Sequence, residues 1–83
     1  MKILYFAWVR QKLGVGEESV ELPEDVLTVA DLVKFLAKRG GAYAEVFGDT
    51  ARLRAAVNQS HARFDSSVRN ADEVAFFPPV TGG

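Results

Sequence analysis

The chain has 83 residues, with ten Lys and Arg against eleven Asp and Glu, one histidine and no cysteine. That length makes a single small domain, burying only about 60–65% of its unfolded surface. The missing cysteines exclude disulfides, a thiolate nucleophile and a cysteine metal site, and balanced, interspersed charge leaves no footprint for nucleic acid or an anionic membrane.

Met1-Lys2-Ile3 runs directly into strand-like sequence, without the apolar stretch of a signal peptide or membrane span, so a cytoplasmic location is expected. Lys2 to Trp8 is rich in aromatic and aliphatic residues and reads as a first strand. Its alternation puts Ile3, Tyr5 and Ala7 on one face and Leu4, Phe6 and Trp8 on the other. Both faces are apolar, and in so short a chain only one can pack on the chain's own helix. The other is exposed or meets a partner.

Val9 to Gly14 reads as a turn or helical stub. Glu18 to Leu22 then alternates as a second, edge strand with Val20 and Leu22 inward, stopped by Pro23. Thr28 followed by Asp31 forms a capping-box start, and Val29, Leu32, Val33 and Leu36 make the apolar stripe of an amphipathic helix ended at Gly40-Gly41. Tyr43, Val46 and Phe47 suit a helical turn capping the core. Leu53, Ala55 and Val57 alternate as a third strand ending at Asn58-Gln59, and Ser60 to Ala71 reads as a polar segment anchored by Phe64 and Val68. Val74 to Phe77 is the last strand, with Val74 and Phe76 on one face and Ala75 and Phe77 on the other.

Pro78 and Pro79 end that strand and favour extended backbone, and Val80, Thr81, Gly82 and Gly83 follow. Five residues from Pro79 onward could reach roughly 17 Å. Two readings of this tail stand side by side: an ordinary small, frayed terminus, or a thread without side chains at its tip that carries a reactive carboxylate. The strand and prolines ahead of the glycines favour the second. Residues 1–78 are then the folded domain and 79–83 its flexible tail. If the last strand lies parallel beside the first, the fold is α+β: a mixed sheet curled over one main helix, the β-grasp or ubiquitin-like arrangement, with an extended Gly-Gly tail.

Asp72 to Gly83, DEVAFFPPVTGG, resembles the C-terminus of the small subunits of molybdopterin synthase, a family of ubiquitin-like sulfur carriers. Ala55-Ala56-Val57-Asn58-Gln59 and Phe6-Ala7-Trp8-Val9-Arg10 fit the same family at corresponding places. The resemblance implies a cycle at Gly83. A ubiquitin-activating-like adenylating enzyme uses ATP to make an acyl-adenylate, a sulfur donor converts it to a thiocarboxylate, and the large synthase subunit takes up the tail. The sulfur then passes to a cyclic pyranopterin precursor, building the dithiolene of molybdopterin within a heterotetramer. Gly82 keeps the thread thin.

The resemblance also makes the chain a non-catalytic subunit with no permanently bound cofactor. Its partner surface would comprise Phe6 and Phe77, with Leu4, Trp8 and Ala75 adjoining, Arg10 near the tail-bearing edge, and Pro78, Pro79, Val80 and Thr81 along the tail. His61 stands where the family often has an apolar residue, and as the only histidine it is a poor metal ligand. A solvated or rim position suits it. Ser60, His61 and Asp65 share one loop, which does not make a catalytic triad. Two alternatives share the fold and the Gly-Gly end: a sulfur carrier for thiazole or thiolated-nucleoside synthesis, and a protein modifier joined to lysines of its targets.

Overall fold

The computed structural model describes residues 1–79. Its centre is a five-stranded mixed sheet in the order β2-β1-β5-β3-β4, built from β1 (Lys2–Tyr5), β2 (Glu17–Ser19), β3 (Arg54–Val57), β4 (Ser60–Ala62) and β5 (Glu73–Phe77). β5 lies between β1, which it pairs in parallel, and β3, which it pairs antiparallel. Parallel pairing of the first and last strands across one face-covering helix is the β-grasp arrangement expected from the element order.

That helix is α2 (Val29–Ala37). Thr28 Oγ1 accepts from the Asp31 N–H at 3.2 Å, and Asp31 Oδ2 accepts from the N–H groups of Thr28 and Leu27 at 3.2 and 3.1 Å. Four hydrogen-bonding orphans at a helix start are thereby reduced, and the Asp31 carboxyl is held below its ordinary range, chiefly by the Leu27 N–H. Two more donors of the first turn, Val29 and Ala30 N–H, reach the carbonyls of Ser66 and Phe64. The polar segment after β4 therefore docks on the helix start. Val29, Leu32, Val33 and Leu36 are all buried against the inner sheet face, where Ile3, Tyr5, Ala55, Val74 and Phe76 meet them.

α3 (Gly41–Phe47) closes the core with Val46 and Phe47. Phe47 meets Phe76 edge-on at 5.1 Å between ring centres, and Tyr5 lies 6.2 Å from Phe47. A side chain at Gly48 would place its Cβ 2.5 Å from the Ala44 carbonyl oxygen, so the turn out of α3 requires glycine.

Three elements depart from the sequence reading. The first strand ends at Tyr5 rather than Trp8: Phe6 is the extended residue before a seven-residue helix, α1 (Ala7–Leu13), closed by left-handed Gly14. Val9 is buried in the core and Leu13, one turn on, packs partly buried against it, and this packing outweighs the strand preference of Trp8 and Val9. β2 is only three residues long, although Val20 and Met1 extend the pairing through two backbone bonds, Val20 N–H to Met1 O and the Met1 amine to Val20 O. The polar segment from Ser60 opens with a strand, β4, reached through a two-residue hairpin turn at Asn58 and Gln59 with φ of 50° and 70°. No helix among the described residues is long and apolar enough to cross a membrane.

Candidate functional site

Period-two alternation leaves half of each strand pointing away from the helices. On that outer face one register row crosses all five strands: Glu17, Leu4, Ala75, Ala56 and His61. Phe77 lies opposite Arg54 in the adjoining row. Leu4, Ala56, Ala75 and Phe77 are each only partly covered, so the centre of the face is apolar and half-exposed. Its rim is polar, with Lys2 and Glu17 3.6 Å apart at the β2 side and Arg54 and His61 at the other.

His61 and Phe77 meet edge to face, ring centres 5.5 Å apart. The antiparallel β3–β4 and β3–β5 registers bring them together, since Ala56 faces His61 and Arg54 faces Phe77. The imidazole is exposed, and among the described residues no group of three His, Asp or Glu side chains could hold a metal ion.

Phe6 is 49% exposed, an unusual state for phenylalanine. Its N–H donates to the Phe76 carbonyl at 3.1 Å, which fixes it at the end of the sheet where β5 finishes. With Leu4, Arg10, Val15 and Gly16 it lines an open groove of about 550 Å³. The structure thus brings Leu4, Phe6 and Arg10 together, and sets Ala75 and Phe77 alongside on β5. Trp8 does not adjoin them on the strand. It sits on α1, in a different groove with Gln11, Lys12 and Arg52. Pro78 and Pro79 are half-buried where the chain leaves the sheet, whereas Val80, Thr81, Gly82 and Gly83 lie outside the described residues.

The model of the ThiS family matches residues 3–83. This chain belongs to the ThiS family. It is 43% identical over 83 residues to the molybdopterin synthase sulfur carrier subunit of Escherichia coli (strain K12), covering 100% of this chain and 99% of that protein. The protein of the same name from Haemophilus influenzae is 37% identical, again across 100% and 99% of the two chains. Among solved structures, SAMP1 from Haloferax volcanii superposes with a TM-score of 0.76 at 30% identity, covering 100% of this chain and 98% of the other. The resemblance, whose specificity lies in three short blocks, spans the whole chain, as expected.

In this ThiS-family chain three features escaped the sequence reading, two of them at the site. Ala56 lies at the centre of the outer face, and Asn58 ties the β3–β4 turn to the start of β5. The Asn58 amide donates to Asp72 Oδ1 at 3.0 Å and its carbonyl accepts from the Glu73 N–H at 3.0 Å. Asn58-Gln59, directly after the alternation of Leu53, Ala55 and Val57, was the available turn signal. The other feature is a charged cluster behind the sheet. Glu18 accepts from Tyr5 and Tyr43 hydroxyls and from Arg39, each at 2.7 Å. Burial pushes the Glu18 carboxyl up, but these three donors outweigh it and hold the group below its ordinary range. Burial and the bond to Glu18 push Tyr5 far above the ordinary tyrosine value. The cluster lies on the helix side, clear of Phe77, and its groups are paired with one another, so it fastens β2 to the helices.

Proposed function

We propose that this chain is the sulfur carrier subunit of molybdopterin synthase, acting in the cytoplasm through the carboxylate of Gly83. The observation that carries the reading is the placement of β5. The central strand of the sheet runs straight into Pro78 and Pro79, beside a half-exposed apolar face, so the segment that follows leaves from the part of the molecule best fitted to grip a partner. The full-length similarity to relatives bearing that name supports it.

A carboxylate is a poor electrophile. In the proposed cycle a partner adenylating enzyme joins it to the α-phosphorus of ATP, releasing pyrophosphate, and a sulfur donor then displaces AMP to leave a thiocarboxylate. This soft anion needs no cysteine on the carrier. The large subunit supplies the active site, where the sulfur attacks the pyranopterin precursor. For transfer, the reacting atom must come within about 3–3.5 Å of its target inside another protein's cleft, and a thread of two glycines can enter where side chains could not. Leu4, Ala75, Phe77 and His61, with Phe6 and Arg10 beside them, form the face on which the large subunit docks.

Intact mass spectrometry after incubation with ATP, an adenylating enzyme and a sulfur source tests the cycle. The expected product has one oxygen exchanged for sulfur, localised to Gly83. Deleting Gly83 is expected to abolish that product and all dithiolene formation, with thermal unfolding unchanged. Full activity in the truncated chain refutes the reading, and lysine-linked conjugates without a thiocarboxylate would identify a protein modifier instead.

A further inference from the structure

The chain leaves the sheet just past Phe77, and two side chains meet across that end. Tyr5 pairs with Phe76 and Arg54 with Phe77, on strands that flank β5 from either side. Close beyond those strand ends lie Trp8, in the first turn of α1, and Arg52, in a single 3₁₀ turn (Thr50–Arg52), at the same end of the molecule as Pro78 and Pro79. They touch: the Arg52 guanidinium carbon lies 4.5 Å from the centre of the Trp8 ring.

With Gln11 and Lys12 the pair lines an open groove of about 350 Å³. α1 packs against α3, and Lys12 reaches Glu45 of α3 at 2.7 Å, which sets this groove with the helices and away from the outer face of Ala75 and Phe77. The exit of the tail thus has contact chemistry on both sides. One side is apolar, the other cationic and aromatic.

Arg52 is exposed and has no acidic partner among the described residues. Lying on an indole fixes its stem while leaving its forked N–H groups available to a carboxylate. Tryptophan and arginine are also the side chains that most often dominate binding energy at interfaces.

We propose that the Trp8–Arg52 groove is a second docking point for the large synthase subunit, receiving a carboxylate side chain from the rim of the cleft that takes up the tail. The proposal rests on the carrier reading above. Trp8 and Arg52 stand at the end of the sheet where β5 runs into Pro78 and Pro79, so a partner surface that takes up the tail passes beside them. An acidic residue of the partner fits here because Arg52 and Lys12 present two cations and, among the described residues, only Glu45 answers them.

The test is titration calorimetry of the full chain, Arg52→Gln and Arg52→Glu against the purified large subunit, at low and at moderate salt. Arg52→Gln is expected to weaken binding about three- to fivefold and Arg52→Glu about tenfold. Both should flatten the dependence of affinity on salt. Arg52→Lys, which keeps the charge but loses the planar stack, should recover only part of the loss. Equal unfolding midpoints for all four proteins, expected for an exposed side chain, tie these losses to the interface. Undiminished affinity in Arg52→Glu, or a loss that salt does not modulate, overturns the proposal while leaving the carrier reading intact. Failure of the unsubstituted chain to bind the large subunit counts against the carrier reading itself.

Discussion

The same five strands present two faces of different character. On the inner face Ile3, Tyr5, Ala55, Val74 and Phe76 are closed off by α2 and α3. On the outer face Leu4, Ala56, Ala75 and Phe77 are nearly as apolar but only half covered. Adjacent residues of one strand, Phe76 and Phe77, thus have opposite duties. Burial of the first stabilises the domain. The second keeps apolar area that folding leaves uncovered and that association can remove from water.

Substituting these neighbours separates the duties. Phe76→Ala should cost about 3–5 kcal/mol, a large share of the roughly 5–15 kcal/mol available to a domain, and should be read as a large drop in the denaturant midpoint. Phe77→Asp should leave that midpoint nearly unchanged while weakening binding to the large subunit by at least about 2 kcal/mol, or roughly thirtyfold. If Phe77→Asp unfolds the chain, or binds at full strength, the two faces do not differ in the way proposed.

A smaller effect tests how the inner side is fastened at its edge. Glu18→Gln removes the charge that three donors converge on and should cost about 1–3 kcal/mol. It should also change the pH profile. The folded Glu18 carboxyl lies below its ordinary value of 4.5, so its contribution is complete above that pH and is lost as pH falls through the folded value. Tyr5 and Tyr43 are raised above their ordinary 10.0, so what they add is complete below that pH and lost on going higher. Urea midpoints across pH should therefore fall at both ends for the native chain and fall less steeply for Glu18→Gln. A variant with the same two limbs would show that other groups set them.

What could be seen in the sequence follows the same division. The α2 stripe, its Thr28–Asp31 cap and the alternation of β5 are local patterns backed by burial, and the parallel β1–β5 pair followed from the order of elements. The end of β1 was hidden because Ala7 to Val9 suits strand or helix equally, and only the packing of Val9 and Leu13 decides. β4 was hidden because Ser60 and His61 are exposed and carry no apolar alternation. Glu18 was hidden for another reason: its partners stand 13, 21 and 25 residues away, so nothing near it in the chain announces them. The outer face was half legible. Leu4, Phe6, Ala75 and Phe77 showed themselves through alternation, whereas the Trp8–Arg52 groove, which lies away from that face, needed the third dimension.

The finest distinction concerns the turn that brings His61 to Phe77. Asn58 and Gln59 both adopt positive φ, as the two-residue hairpin turn requires. Asparagine tolerates that region and here also bonds to Asp72 and Glu73, but glutamine has neither advantage. Left-handed backbone costs an ordinary residue roughly 1–2 kcal/mol, and glycine gives back about 0.4–1 kcal/mol through its freer unfolded chain. Gln59→Gly should therefore raise stability by about 0.5 kcal/mol, whereas Asn58→Gly should lower it, because two hydrogen bonds to the start of β5 disappear. Neither change touches the outer face, so affinity for the large subunit should stay the same in Gln59→Gly. A less stable Gln59→Gly would mean that side-chain contacts, not backbone conformation, hold this turn.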